Sequence, residues 1–415
     1  MLRVRRHRPS LLLGFIALVL LSAVSFAQAQ EKVKVTFWTW LSNEAMVEEF
    51  NRLHPNIQVE HVKMGAYDAQ NKFLVALSSG TGAPDVIQLM ARHFSLFSTT
   101  GKLVDITDKV KDIRDGYPAN LIESVSYNSK IYGLPADVSP GVVWYRRDIF
   151  KKYGIQVPFA TWDDFVKAAE VLKKNGVTMM PLFYPAGSWG ANALVMYLHS
   201  RGGNIYTPDG KVIRNNKELE YTLQWLYDLY KAGMAEGITF FTPEFWGALK
   251  SGQFACWPMN VAEGANIRQY MPELSGNWGV MPFPRWSDKK EQTTGIWGGT
   301  VLAVPTQSKV RDAALTFVKW VAGTVQGQVW ASKTWNAVPA YSPAYKDSFY
   351  ALGDPYYGGD NVYKMINPVK PFYYFDWAIT ERIIGKQLDL MFAGKVTPAA
   401  ARAAIEAELI DETNR

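Results

Sequence analysis

Val33-Lys34-Val35-Thr36-Phe37-Trp38-Thr39-Trp40 leads through Leu41-Ser42-Asn43 into Glu44 to Asn56, and the order of these pieces decides the fold. Residues 33–38 are β-branched and aromatic enough to predict a strand. Asn43 is a plausible cap for the helix that follows. Met46, Phe50 and Leu53 fall on one helical face, while Glu44, Glu48, Glu49 and Arg52 lie mostly elsewhere. His54-Pro55-Asn56 ends that helix, and Ile57 to Val62 predicts a second strand. A strand, a helix and a strand in this order imply parallel pairing with a right-handed crossover. A second helix is predicted over about 66–77, ending at Ser78-Ser79-Gly80-Thr81-Gly82, and a third strand over 84–89. The first hundred residues therefore predict a doubly wound α/β lobe.

Upstream, Arg3, Arg5, Arg6 and Arg8 precede the apolar run Leu11 to Phe26, and Ala27-Gln28-Ala29 follows it. That is the plan of a cleavable secretory signal peptide over 1–29. No Cys follows the run, so a lipid-anchored start is not expected, and a periplasmic or secreted location is. Residues 1–29 carry four Arg and no acid, so cleavage lowers the formal charge from +6 to +2. A nearly neutral chain gives nucleic-acid binding no support. Cys256 is the single Cys, so no intramolecular disulfide forms, and the 48% of hydrophobic residues must supply the core.

Downstream, Ile131 to Pro135 predicts a short strand, and Val142 to Tyr145 another after a bend at Pro140-Gly141. That bend is the first expected crossing between lobes. Thr161 and Asp164 form a reciprocal capping pair for a helix packed through Phe165, Ala169 and Leu172. Further helices are expected around 190–201, 216–232 and 311–331, and over a tail of 376–415 broken near Gly394 and Pro398. Pro282 and Pro284 mark a second crossing, after which Gly299 to Val304 is strand-like. The chain is thus expected to form two lobes from separated segments: 30–140 with 285–338, and 141–284 with 339–415.

Neither a phosphate loop, nor a His-Glu-x-x-His pair, nor a Gly-x-Ser-x-Gly elbow occurs, and no cofactor or metal is expected. The acids to test for a glycosidase pair are Asp137 and Glu263. Sugars are recognised by aromatic rings lying on their C–H faces and by polar groups around their hydroxyls. That mixture recurs at predicted element ends. Trp40 and Glu44 stand where the first strand gives way to its helix, the crevice in which open α/β sheets bind ligands. Gln88 and Arg92, with His93, follow the third strand at the equivalent edge. Asp137 lies near the first crossing. Tyr184 and Trp189 flank Pro185-Ala186-Gly187, Trp257 and Asn260 flank Pro258, and Trp297 precedes Gly298-Gly299, where bare backbone admits close approach. Asp376 and Trp377 open the last helical segment.

Phe37-Trp38-Thr39-Trp40 with Phe50-Asn51-Arg52-Leu53-His54-Pro55-Asn56-Ile57 resembles the start of the family 1 extracellular solute-binding proteins of ABC importers. Ser79-Gly80-Thr81-Gly82-Ala83-Pro84-Asp85-Val86, Tyr132-Gly133-Leu134-Pro135, Thr161-Trp162-Asp163-Asp164-Phe165 and the stretch from Gly298-Gly299 to Ala313-Ala314 are similar in the same order. The resemblance implies the type II periplasmic-binding-protein fold: two doubly wound α/β lobes joined by hinge crossovers. It implies a monomer that closes on a sugar or oligosaccharide and delivers it to membrane permease subunits. It also implies that Trp377 stacks on sugar. Ser139 stands where maltodextrin-binding relatives carry a binding Glu, Leu89 where they carry a binding Trp, and Arg92-His93 near their acid–base pair. Those departures point away from maltodextrin. A charged solute, such as a phosphate ester held by Arg92, is the alternative ligand class, and a secreted carbohydrate hydrolase is the third reading.

Overall fold

The computed structural model describes residues 32–369 and 377–413, so the expected signal peptide and Asp376 lie outside the described residues. Strands Val33–Thr39, Ile57–Lys63 and Val86–Met90 pair in parallel, with Val33–Thr39 in the middle. Helices Glu44–Leu53 and Ala66–Ser79 make the crossovers. The N-terminal α/β unit is therefore as the sequence predicts. Beyond it, Ile296–Ala303 pairs antiparallel with Val86–Met90, and Leu134–Arg146 pairs antiparallel with Ile296–Ala303. The sheet is mixed at this edge because the chain returns to it from the other lobe.

Two apolar cores divide the molecule. One contains Val35, Phe37, Phe50, Phe73, Leu89, Val301, Phe317 and Trp320; Phe50 and Phe317 meet edge to face at 4.9 Å. The other runs from Val142 to Met281 and takes in Trp377, Ile384, Leu388 and Leu409. Its sheet centres on the far half of Leu134–Arg146, flanked antiparallel by Cys256–Asn260 and Trp278–Pro282. Met180–Phe183 and Ala235–Ile238 form a separate parallel pair. The helix Trp162–Lys174 starts with the predicted capping box of Thr161 and Asp164.

Two expectations need correction. Residues 131–135 and 142–145 are not separate strands about a bend: Leu134–Arg146 is one continuous strand threading both lobes. Pro140 lacks an N–H but occupies a position opposite Ile296, whose own N–H is taken by His199 Nδ1 at 3.1 Å. Pro140 O accepts from Val261 N at 2.9 Å and Gly141 N donates to Gly295 O at 2.8 Å, so the hydrogen bonds on either side of the missing N–H carry the strand on. Second, 311–331 is not one helix. Arg311–Gly323 stops at Thr324, whose hydroxyl accepts from Gly327 N and caps a new helix, Val325–Trp335.

Val138 packs against both cores, and Val301 lies in the first while Trp286 and Trp297 lie in the second. We propose that the second lobe boundary falls at Gly298-Gly299 rather than at 284/285.

Candidate functional site

The carboxyl ends of the first lobe's strands carry a chain of buried hydrogen bonds. Asn43 Nδ2 donates to Thr39 Oγ1 at 2.9 Å, and Thr39 Oγ1 donates to Gln88 Oε1 at 2.6 Å. Gln88 Nε2 donates to Thr300 Oγ1 at 3.2 Å, and the Thr300 hydroxyl donates to Asp137. Ser139 Oγ donates to the other Asp137 oxygen at 3.3 Å. The chain spans four adjacent strand segments and locks their ends in register. Burial pushes the Asp137 carboxyl up to about 6, against the pull of the Thr300 and Ser139 hydrogen bonds.

Just beyond these strand ends the lobes touch, and the contacts converge on Glu381. Tyr67 Oη donates to its carboxylate at 3.2 Å, and Asn192 Nδ2 donates at 3.1 Å. Arg92 Nε lies 3.7 Å from Oε2 and His93 Nε2 lies 3.4 Å from Oε1. Tyr67, Arg92 and His93 come from the first lobe; Asn192 and Glu381 come from helices of the second. Burial pushes the Glu381 carboxyl up, but His93 and the Arg92 charge outweigh it and hold the group below the usual carboxylate range. Trp377 is buried one helical turn before Glu381, and its Nε1 donates to Asn192 Oδ1 at 2.9 Å, so it backs this cluster.

Aromatic rings line the same junction. Trp189 is half-buried and stacks on Trp297, with centroids 5.8 Å apart and planes 14° apart. Tyr67 reaches across to Trp189 edge-on at 5.8 Å. Phe241 closes the group at 5.7 Å from Trp189, remains 37% exposed, and holds φ at +64°. A bulky residue in that left-handed conformation stores strain, which is common where a loop presents a side chain for binding.

The structure therefore gathers Gln88, Arg92, Asp137, Trp189, Trp297, Gly298, Gly299 and Trp377 about one junction. Arg92 Nη1 is 3.5 Å from where a Cβ on Gly298 would stand. A Cβ on Gly299 would overlap Asp137 O, so that glycine serves strand approach rather than an open face. The expected segment 285–338 puts Trp297 in the first lobe, but its ring packs on Trp189 and Phe183, because the strand crosses only after it. Trp40 is half-buried at its strand end and belongs to neither core. Tyr184 is exposed beside Gly237.

Three candidates stand elsewhere. Glu44 is exposed and faces His61 at 3.4 Å. Trp257 is sealed among Phe240, Phe245 and Trp246, so it is a core ring and not a platform. Asn260 donates to Glu263 Oε1 at 3.4 Å while Asn266 donates to Oε2 at 2.8 Å. His93 stands beside Arg92 as the sequence places it, while Tyr67, Asn192, Phe241 and Glu381 were not among the expected ligand residues. Only Glu381 had a signal, its position four residues after Trp377 on one helix face.

Burial pushes the Glu263 carboxyl from 4.5 up to about 7, against its two Asn partners. An acid with a raised folded pKa keeps its proton after the unfolded chain has lost it. Stability therefore falls as pH rises from about 4.5 to 7 and then levels off, by roughly 3 kcal/mol for this group. Asp137 adds a fall that ends near pH 6. In urea titrations, Glu263→Gln is expected to abolish the decline between pH 6 and 7; an unchanged decline would contradict this assignment.

The family described as bacterial extracellular solute-binding protein matches residues 42–328. An arabinooligosaccharide-binding protein of Bacillus subtilis (strain 168) is 28% identical over 320 residues, 74% of this chain and 72% of that protein. A protein of the same name from Halalkalibacterium halodurans is 25% identical over 301 residues, 69% and 66% of the two chains. Among solved structures, the ABC-transporter-associated binding protein of B. animalis subsp. lactis Bl-04 in complex with β-1,6-galactobiose superposes with a TM-score of 0.80. It is 20% identical, with 92% of this chain and 98% of that chain covered, a likeness that speaks to fold.

Proposed function

This chain belongs to the bacterial extracellular solute-binding protein family, and from that premise we propose that it captures a mono- or oligosaccharide between its lobes and delivers it to the permease of an ABC importer. Its fold is the two-lobed type II periplasmic binding fold. The observation that carries the sugar reading is the junction itself. Half-buried Trp189, stacked on Trp297 and met by Tyr67 and Phe241, adjoins the polar cluster of Arg92, His93, Asn192 and Glu381. Rings for C–H faces and forked donors and acceptors for hydroxyls are the two surfaces a sugar needs. The names of the two arabinooligosaccharide-binding relatives support the same class.

Binding works by closure. Each lobe holds part of the site, a ligand between them stabilises the closed arrangement, and the permease recognises that arrangement. The chain acts as a monomer outside the cytoplasm, after a signal peptide over 1–29 is removed. No bond in the ligand is made or broken. Asp137 and Glu263, the acids a hydrolase would use, have both carboxylate oxygens held by neighbouring side chains inside the protein.

A thermal-shift screen of arabinobiose, arabinotriose, lactose and galactobiose tests the reading. At least one is expected to raise the melting temperature and to be recovered unaltered. For that sugar, Trp189→Ala is expected to weaken binding about 10- to 100-fold, by loss of a stacking face, with unfolding little changed. A screen without any shift, or release of shorter sugars, would refute it.

A further inference from the structure

We infer that the sugar site is built for an uncharged saccharide presenting adjacent hydroxyls to Arg92 and Glu381, and that it rejects uronate and phosphorylated sugars. This inference rests on the sugar reading above and deepens it. Arg92 is only 3% exposed, yet its Nε and Nη2 are buried with no hydrogen-bond partner among the described residues. These two nitrogens form one edge of the guanidinium, the fork that grips two oxygens at once. The nearest acid, Glu381, stands 3.7 Å from Nε, too far for a hydrogen bond but close enough to cancel the charge. Leaving the fork shut between the lobes without acceptors is unfavourable, so it marks a place where ligand oxygens belong.

The surroundings select which oxygens fit. Glu381 is held ionised, with Tyr67 and Asn192 donating to it and the Arg92 charge beside it. A sugar hydroxyl entering the fork accepts from Arg92 and can donate onward to Glu381, so a vicinal pair satisfies both groups. A ligand carboxylate or phosphate would also fill the fork, but it has no proton to give and would place a second anion against Glu381. A further buried acid, Asp137, lies one strand over, where a Cβ on Gly299 would strike its carbonyl. His93 Nε2, also buried, faces Glu381 Oε1 at 3.4 Å and supplies one more polar contact on the same side. One lobe thus brings the Arg92 cation and the other the Glu381 anion, with Asp137 a second acid nearby, a balance that fits a neutral diol better than an anion.

Calorimetric titration of the mature protein with matched pairs tests this: galactobiose against digalacturonate, and arabinobiose against arabinobiose phosphate. For the pair whose neutral member binds, the wild type is expected to favour that member by about 100-fold or more. Glu381→Gln is expected to narrow the preference about tenfold, because the repelling anion is gone. Arg92→Lys, which keeps the charge but loses the fork, is expected to weaken the neutral sugar about 100-fold. An anionic member that binds the wild type as well as its neutral twin overturns the inference and leaves the sugar reading standing. An unchanged preference in Glu381→Gln also overturns it. Binding of neither member of any pair overturns the sugar reading and this inference together. If Glu381→Gln does not fold, the wild-type ratio and Arg92→Lys decide.

Discussion

Trp257→Ala is expected to lower the free energy of unfolding by about 3–5 kcal/mol while changing sugar affinity by less than about threefold. Its ring is 1% exposed and lies edge-on to Phe240 at 5.8 Å, Phe245 at 5.1 Å and Trp246 at 6.0 Å. Its strand, Cys256–Asn260, is itself buried and pairs with Val142 to Tyr145. Truncation would open a hole that the surrounding rings cannot fill without giving up their own edge contacts, so transfer and cavity losses add. Urea unfolding followed by Trp fluorescence gives the stability, and calorimetry with the bound sugar gives the affinity. A variant that unfolds like the wild type but loses sugar tenfold or more would make Trp257 a binding platform after all. Trp189→Ala is the reverse case, since its ring is only half-buried at the junction of the lobes.

Gly299→Ala is expected to destabilise the first lobe by more than about 3 kcal/mol, and Gly298→Ala by clearly less. Both glycines hold positive φ, +142° and +154°, so each alanine meets backbone strain. What separates them is space. At Gly298 a Cβ meets only Arg92 Nη1, the end of a flexible side chain, at 3.5 Å. At Gly299 it strikes the carbonyl oxygen of Asp137 and the backbone of Val138, and the ladder pairs Gly299 with Val138. The strand would have to part from its neighbour at the crossing between lobes, breaking the Thr300 to Asp137 hydrogen bond next to it. Urea unfolding of the two variants side by side is the check. Equal stability losses would mean that backbone conformation alone, and not strand approach, fixes this glycine. For Gly298→Ala, the neighbouring guanidinium predicts that sugar affinity falls more than stability does.

Much of the architecture was legible because local chemistry and tertiary demand agree. The first β-α-β unit, the capping box at Thr161 and Asp164 and the tail helices on either side of Gly394 follow from periodicity and punctuation that neighbours do not override. Pro140-Gly141 misled because a turn signal is read from the chain alone. Whether a strand bends there depends on its partners, and the bonds from Val261 N to Pro140 O and from Gly141 N to Gly295 O keep it extended. Thr324 was missed as a break because a cap within a continuous apolar pattern is a weak local mark. Trp297 and Trp257 show the same limit for the site. Each stands beside Gly or Pro in sequence, yet one stacks on Trp189 and the other is walled in by Phe240 and Phe245.

The sequence by itself determined that this is an α/β chain of two lobes, rich in rings at element ends and carrying no motif for metal or phosphate chemistry. It did so because strand and helix periods, caps and composition are properties of neighbouring residues. Only the tertiary structure decided which of those rings share a junction and that Glu381 meets Tyr67, Arg92 and His93 from the opposite lobe. Glu381 lies nearly 300 residues from Arg92 along the chain. A pairing over that distance is set by how two folded lobes close on each other, and no local pattern encodes it.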